Sequence, residues 1–323
     1  MNRDPGLARA CVGLALGLVA ATTAAAADGQ LVNAAQARLQ KRAHGVMALM
    51  GYSQTPDVTS GALSIKNTAT GNPSFNNTSL GGGFTISDSV PLYMEGTLGW
   101  ARYDPKFVAT QGAESREIPT KWNSAVATVG IGWDFRLSQH LVFRPILNGS
   151  YGRLRSDISI GSQVVTNRTD INLDFLARGH LDAAGMGGSV MLDYENYQPK
   201  HEIDVELRYT DIELHSVNNS YRAVSGHARN QNASLWARWR APIDDWHALG
   251  RPFRYVLELA HTTYLGDETD VVGINHLTSF GVGVELDSSK YNPLWISRTR
   301  AVVRYVYGQN VHGVSLGIAV TFD

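Results

Sequence analysis

The sequence predicts an all-β protein, a transmembrane barrel of twelve antiparallel strands with an N-terminal helix threading its lumen. Apolar and polar residues alternate along many segments, and this is the period of a β-strand with two different faces. The connections between these segments alternate between short and long, which is typical of barrels that cross an outer membrane. One helical stretch precedes the first strand, and its charges predict a polar surrounding rather than lipid.

Residues 1–27 are typical of a secretory signal peptide. Arg3 and Arg9 give it a positive start, and the apolar run 12–21 is, at about ten residues, too short to span a bilayer. An alanine cluster then provides a small-residue cleavage site. Cys11 is the one cysteine of the chain, and it lies at the front of the apolar run instead of after it. We therefore predict export without a lipid anchor and a mature chain without disulfides.

The composition excludes several partners. The chain has 28 lysines and arginines against 29 aspartates and glutamates, a formal net charge of −1. Nucleic-acid-binding domains are usually strongly basic, so no nucleic-acid partner is expected. The sequence has no cysteine ligand set, no His-x-x-x-His spacing and no glycine-rich phosphate loop, so no metal or other cofactor is predicted. After the leader no continuous apolar stretch approaches about eighteen residues, so no transmembrane helix is predicted.

Alternation is especially clear in the segment 201–214. There Ile203 and Val205 alternate with Asp204 and Glu206, so one face of the strand is apolar and the other is charged. Most such segments have about ten residues or more, which suits tilted membrane strands and exceeds most soluble strands. A soluble β-sandwich would explain one such strand but not so many of this length. The predicted strands are 58–66, 79–87, 91–103, 122–136, 139–153, 185–195, 201–214, 230–241, 253–264, 276–286, 298–308 and 312–322.

The connections support a closed sheet in a membrane. Those after even-numbered strands are mostly short and those after odd-numbered strands mostly long and polar, except for the short one after the eleventh. Hydrocarbon offers no hydrogen bonds to an exposed strand edge, so the sheet is expected to close. Aromatic residues near the ends of the outward stripes suit the two headgroup boundaries, and outer-membrane lipid is the expected partner. These residues are Trp100, Trp133, Tyr151, Tyr194, Tyr209, Trp239 and Tyr255.

The rest of the chain divides into a helix, 28–51, and a barrel, 52–323. The stretch 30–50 reads QLVNAAQARLQKRAHGVMALM, which is rich in helix-forming residues and lacks proline. About twenty helical residues cover roughly 30 Å, about one membrane thickness. Several charges near its middle would be costly in lipid. The helix is therefore expected inside the barrel.

The charges on this helix are Arg38, Lys41 and Arg42. We expect this basic face to pair with carboxylates on the lumen face and so to plug the pore. The alternative is an exposed periplasmic or surface helix with a solvated basic face. The carboxylates that the alternation places in the lumen as partners are Glu95, Glu202, Asp204, Glu206 and Glu258.

The run Gly313–Gly317 matches the Gly-x-Ser-x-Gly motif of serine hydrolases, with Ser315 in the position of the nucleophile. In those enzymes the serine stands on a strained turn between a strand and a helix. Here the motif lies within an alternating strand that runs on toward the C-terminus. Ser315 is therefore predicted to face the lumen and not to act as a nucleophile.

A second candidate for chemistry is the rim cluster, formed by Asp211, Glu213 and His215 on one face at the outer end of a predicted strand. A carboxylate–histidine pair could act as a general base or hold a metal. We prefer the interpretation that this is a polar strand end entering a loop. The chain is accordingly not predicted to be an enzyme.

A third pattern is the cationic pair Arg238 and Arg240, close to Trp236 on the predicted lumen face. These arginines could select anions in a channel. They could also pair with Glu258 on the next strand, which is our expectation.

The C-terminal run VSLGIAVTF alternates apolar residues and ends in the aromatic Phe322, followed only by Asp323. It resembles the signal by which the barrel-assembly machinery recognises outer-membrane proteins, which implies that machinery as a partner. A helix followed by a twelve-stranded barrel resembles the translocator domain of autotransporters. Because only two or three residues separate the leader from the helix, the chain resembles the solitary autotransporter-like outer-membrane barrels, which lack a passenger.

Three classes of function follow from the sequence. The first is a non-enzymatic protein of the cell outer membrane, resembling an autotransporter translocator without a passenger and plugged by its helix. The second is a gated channel or porin for small solutes. The third is a barrel hydrolase that uses the rim cluster. The sequence does not indicate a solute, a receptor role or an oligomeric state.

Overall fold

In the part of the chain that the structure describes, an antiparallel β-sheet is preceded by one short 3-10 helix, as seen in a computed structural model. No helix among the described residues is long and apolar enough to cross a membrane. The predicted leader, 1–27, lies outside these residues. The structure describes residues 47–55, 63–66, 74–104, 106–111, 114–158, 180–219, 226–248, 251–269, 273–287, 296–309 and 311–322.

Twelve strands follow one another as hydrogen-bonded neighbours, and two short strands, β4 and β6, pair beside this path with β5 and β7. Every pairing is antiparallel. The elements are the 3-10 helix Leu49–Ser53 and the strands β1 Leu63–Lys66, β2 Ser74–Thr85, β3 Leu92–Asp104, β4 Lys106–Gln111, β5 Glu114–Trp133, β6 Phe135–Arg136, β7 Leu141–Ile158, β8 His180–Gln198, β9 His201–Asn219, β10 His227–Ala248, β11 Arg251–Tyr264, β12 His276–Asp287, β13 Ile296–Gly308 and β14 Val311–Phe322.

The sheet curls strongly around an interior. Cα atoms of β1 lie within 8 Å of Cα atoms of both β2 and β14, so the first and last strands are neighbours. The curl also brings distant strands together, since Arg208 on β9 lies 2.6 Å from a carboxylate oxygen of Glu95 on β3. Such a contact across the concave face requires a rolled sheet and not a flat one.

Several strands are longer than the sequence predicts. The predicted loop 104–121 contains the hairpin of β4 and the first part of β5. The predicted turn 242–252 is largely strand, because β10 continues to Ala248 and β11 begins at Arg251. Proline lacks an N–H group and interrupts a regular ladder, and the register of β10 shifts between Pro242 and His247 to accommodate it. Pairing therefore extends past residues that the sequence pattern assigns to turns.

The two ends of the curled sheet differ. We call the end with the connections 105–113, 159–179, 220–226 and 265–275 the loop end. The opposite end carries the connections 86–91, 199–200 and 249–250, and we call it the turn end. Because successive side chains of a strand point to opposite faces, each strand presents one face outward and one inward.

The outward face is apolar along most of its height. Leu80 and Met186 are each 71% exposed and Ile318 is 69% exposed, values that an apolar side chain reaches only when nothing in its own chain covers it. Other large apolar side chains exposed on this face include Phe84, Leu98, Trp100, Val129, Ile131, Leu147, Leu207, Leu257, Phe280, Val282, Val303, Tyr305, Val314 and Leu316.

Candidate functional site

The interior of the curled sheet is the candidate site, and its loop end is filled by the segment 47–55. Every residue of this segment is buried. Met47 and Ala48 are helical and lead into the 3-10 helix. The cluster of buried apolar side chains around the segment consists of Met47, Ala48, Leu49, Met50, Tyr52, Ala101, Trp122, Val126, Leu154, Leu181, Ala183, Leu214, Ala228, Tyr264, Ile274, Leu277 and Val306.

The long helix predicted over 28–51 is not supported by this arrangement. Only residues 47–51 of it belong to the described part of the chain, and they form a single helical turn that tightens into a 3-10 helix. Residues 28–46, with Arg38, Lys41 and Arg42, lie outside the described residues. What the structure places in the interior is a compact and mostly apolar segment, because the loop half of the lumen is itself apolar.

Tyr52 connects the segment 47–55 to the loop between β11 and β12. Its hydroxyl donates toward two carbonyl oxygens, those of Glu268 and Ile274, each at 3.1 Å. The ring packs against Tyr264, with the ring centroids 4.6 Å apart. An aromatic side chain with a satisfied hydroxyl is well suited to such a buried position.

Three further hydrogen bonds hold the segment against the strands. The Ser53 hydroxyl donates to the Asn77 side-chain oxygen at 2.5 Å, and the Asn77 amide nitrogen donates to the carbonyl of Tyr52 at 3.2 Å. On the other side, the Asn230 amide nitrogen donates to the Gln54 side-chain oxygen at 2.9 Å. These hydrogen bonds satisfy part of the buried polar groups, whereas Gln54 Nε2 and Asn230 Oδ1 have no hydrogen-bond partner among the described residues.

Two wall glycines make room for the segment. A Cβ atom at Gly152 would lie 2.5 Å from the sulfur of Met50, and one at Gly99 would collide with the Cβ of Ser53. Both glycines are buried on the inward face. The wall and the segment are therefore complementary in shape, because a Cβ at Gly99 would also meet the backbone of Ser53 and one at Gly152 would push aside the end of the Met50 side chain.

The turn half of the interior has a different character, since it is filled by ion pairs between wall strands. Arg240 lies 2.8 Å from Glu202, 3.2 Å from Asp204 and 3.1 Å from Glu285. Glu202 also lies 2.8 Å from Arg298. Arg240 and the three acids are almost completely buried and Arg298 is 26% exposed, and together they form a network that spans from β9 to β13.

Further pairs extend this network. Arg304 lies 2.6 Å from Glu258, and Arg238 lies 2.6 Å from Asp204 and covers the ring of Trp236 at 4.6 Å. The prediction that Arg238 and Arg240 pair with Glu258 is therefore wrong, because Glu258 pairs with Arg304 on β13. The two arginines pair instead with other acids of the wall, Asp204, Glu202 and Glu285.

The predicted lumen carboxylates all belong to this region. Glu95 pairs with Arg208, and Glu206 lies on the inward face of β9 between Asp204 and Arg208. The register explains the wall pairing, since Arg240 is the direct cross-strand partner of Glu202 and opposite charges at this spacing attract. Contacts of these acids with Arg38, Lys41 and Arg42 stay a prediction.

The rim cluster lies on the outward face at the loop end. Asp211 accepts two hydrogen bonds from the Arg229 guanidinium, at 2.6 and 3.0 Å, and His215 lies 3.4 Å from Glu213. The Arg229 backbone N–H donates to Asp267 at 2.8 Å. A cleft of about 510 Å³ opens here, lined by Met186, Gly187, Asp211, Glu213, His227, Arg229 and Asp267.

Sequence reasoning missed three residues of this cleft, His227, Arg229 and Asp267, because they come from other strands and a loop. Arg229 and Glu213 are cross-strand partners, a relation that alternation alone does not specify. None of the residues that line the cleft carries a hydroxyl or thiol. The cleft thus lacks a side-chain nucleophile of the serine, threonine or cysteine type among the described residues.

Ser315 lies in the middle of β14 and is buried on the inward face, with Arg304 as its cross-strand partner. The Gly-x-Ser-x-Gly motif is thus part of a regular strand, as predicted, and no turn exposes the serine. Phe322 is the last residue of β14 and pairs with Ile296. Its part in barrel assembly stays a prediction.

No protein-family model and no curated protein matches the chain. Among solved structures, the chain is similar to the β-domain of the Bordetella autotransporter BrkA, with 14% identity, 76% of this chain and 87% of that chain covered, and a TM-score of 0.40. LpxR from Salmonella typhimurium has 12% identity, coverage of 75% and 86%, and a TM-score of 0.37. The Ralstonia pickettii toluene transporter TbuX has 12% identity, coverage of 80% and 78%, and a TM-score of 0.34. These neighbours are outer-membrane β-barrels.

Proposed function

We propose that the protein is an integral outer-membrane β-barrel that is closed in its resting state. In this proposal the segment 47–55 occludes the loop half of the lumen and the ion-pair network occludes the turn half. The observation that carries the proposal is the complete burial of the segment 47–55 within the wall. The protein would then resemble an autotransporter translocator without a passenger, and it would not be an enzyme.

The outward face supports the membrane location. A continuous surface of exposed Leu, Val, Ile, Phe and Tyr side chains surrounds a polar and ionic interior, the inverse of a soluble protein. Hydrocarbon satisfies no backbone hydrogen bonds, so a sheet in this setting is stable only when its edges meet. The proximity of β1 and β14 is consistent with such closure.

The interior supports the closed state. Apolar side chains pack around the segment 47–55, and the polar side chains of Ser53 and Gln54 are hydrogen-bonded to Asn77 and Asn230 of the wall. In the turn half, most arginines and carboxylates are paired between nearby wall strands, and Arg208 and Glu95 pair across the interior, so much of the charge there is neutralised within the protein. Both halves would have to rearrange before a solute could pass.

Planar-bilayer conductance tests the proposal. The chain from residue 28 is expected to insert without a steady current. Removing residues 28–46 is expected to leave it closed, because the segment 47–55 remains docked. Removing 28–55 is expected to open the loop half and to allow only brief openings, when the ion-pair network of the turn half also rearranges. A wide and permanently open pore from the longest of these chains would overturn the proposal.

A gated channel is the second candidate, favoured by the mostly apolar contacts of the segment 47–55, which a conformational change could release. It predicts that the longest chain opens reversibly under applied voltage. The closed barrel predicts that it does not, within the range in which the bilayer is stable. The same recordings therefore separate the two functions.

A further inference from the structure

The loop that receives the segment 47–55 contains a buried carboxyl group. Glu268 lies between β11 and β12 and is 1% exposed. Its carbonyl accepts the hydroxyl of Tyr52, as does the carbonyl of Ile274, which is 0% exposed. Tyr52 thus binds the backbone of the loop at the residue that carries this carboxyl group.

No cation neutralises Glu268, since none of the ion pairs among the described residues includes it. The guanidinium group of Arg229 on the neighbouring strand β10 donates to Asp211. The backbone N–H of Arg229 donates to Asp267. The carboxyl oxygen Oε2 of Glu268 has no hydrogen-bond partner. Buried carboxylates without a compensating charge are costly.

The surroundings of Glu268 favour its neutral form. Burial raises the pKa of this carboxyl to about 7, and the neighbouring charge of Asp267 acts in the same direction. Hydrogen bonds from the backbone N–H groups of Glu268, Gly266 and Gln231 to this carboxyl lower its pKa, but they do not offset the effect of burial. The other titratable groups nearby, Tyr52 and Tyr264, are phenols that stay neutral in the same pH range.

We propose that Glu268 makes the docking of the segment 47–55 sensitive to pH, so that the segment stays seated while this carboxyl is protonated and loosens when it ionises. The inference rests on the proposed closed state of the lumen. In addition to that closed state, it proposes that the ionisation of Glu268 regulates the docking of the segment 47–55.

The sign of the effect follows from proton linkage. The docked state holds a proton on Glu268 up to about pH 7, whereas an exposed glutamate loses it near 4.5. Docking is therefore strongest below about pH 4.5, weakens as the pH rises to about 7, and changes little above that. This difference between the pKa of Glu268 in the docked state and that of an exposed glutamate corresponds to a change of up to about two orders of magnitude in the docking equilibrium constant.

Thiol labelling of a Ser53→Cys variant measures docking. The one native cysteine lies in the predicted leader, so the mature variant carries a single thiol in the buried segment. Labelling by a polar maleimide is expected to rise about tenfold or more between pH 5 and pH 8. A Ser87→Cys variant in an exposed turn supplies the correction for ionisation of the thiol itself.

Two neighbouring substitutions form the comparison. Glu268→Gln is expected to abolish the corrected pH dependence and to keep the segment docked at pH 8. Asp267→Asn is the matched control, because Asp267 is exposed and an asparagine oxygen still accepts the Arg229 N–H. It is expected to keep the pH dependence but to shift it toward lower pH, because the charge of Asp267 no longer raises the pKa of Glu268.

Conductance at pH 5 separates the two proposals. A steady current there would overturn the closed state itself. A closed barrel whose corrected labelling is equal at pH 5 and pH 8 would overturn the role of Glu268 alone. A full pH response of labelling in the Glu268→Gln variant would likewise overturn the role of Glu268 alone.

Discussion

Glu95 and Arg208 show how buried charges are stabilised in this interior. Two guanidinium nitrogens of Arg208 donate to the two carboxylate oxygens of Glu95, at 2.8 and 2.6 Å, and the side chains are 6% and 2% exposed. Asn148 donates to the same carboxylate at 2.8 Å. A buried pair with this geometry and additional hydrogen bonds offsets its desolvation, but each partner depends on the other.

Removal of one partner is therefore expected to be costly. Glu95→Gln should lower the free energy of unfolding by about 3–5 kcal/mol, because it leaves the Arg208 charge buried and uncompensated. The double variant Glu95→Leu/Arg208→Met should lower the free energy of unfolding by less than Glu95→Gln does, because it leaves no buried charge without a partner. Urea unfolding in detergent micelles measures both.

The exposed pair Arg136–Asp88 is the control for that comparison. Arg136→Ala should change stability by about 0–1 kcal/mol, as is usual for ion pairs in water. A loss at Glu95→Gln no larger than the loss at Arg136→Ala would contradict the interpretation of Glu95 as a buried ion.

Gly152 offers a test of the shape of the loop half. Gly152→Leu should displace the segment 47–55, since its side chain would occupy the space of Met50. Gly149→Leu is the matched control on the same strand, because a Cβ there meets nothing within 4 Å. Protease cleavage within 47–55 should appear in the first variant and be absent in the second.

At the scale of the element, β14 shows the two-faced strand that the wall is made of. Leu316 is 55% exposed and points outward, whereas Ser315 is buried and points inward. The sequence predicts this pattern because alternation is a local property of the chain. It predicts the ends of strands less well, since β10 and β11 pair beyond their prolines only in the context of the folded sheet.

Leu316→Arg should destabilise the protein by about 2–4 kcal/mol, because it places a charge near the middle of the lipid-facing surface. On the same face of the same strand, His312→Arg near the loop end should cost only about 0–1 kcal/mol. Folding titrations into phospholipid vesicles measure both variants. Equal effects at the two positions would mean that this face does not meet hydrocarbon.

For the whole molecule, the outward apolar surface determines how the protein behaves in solution. The purified mature chain is expected to stay monodisperse only with detergent or lipid, since no described part of the chain covers this apolar surface. Size-exclusion chromatography with and without detergent gives the answer. A folded, monodisperse protein in plain buffer would contradict the membrane location and with it the closed barrel.

The sequence by itself determined the strands, their two faces and the placement of acids and arginines in the interior, because all of these follow from a period of two residues along the chain. The tertiary structure decided which of these charges pair. Arg238 has an acid on each neighbouring strand, Asp204 and Glu258, and only the curl of the sheet brings Glu258 to Arg304 instead. It also decided that the segment 47–55 fills the loop half, since that cavity exists only once strands distant in sequence have come together.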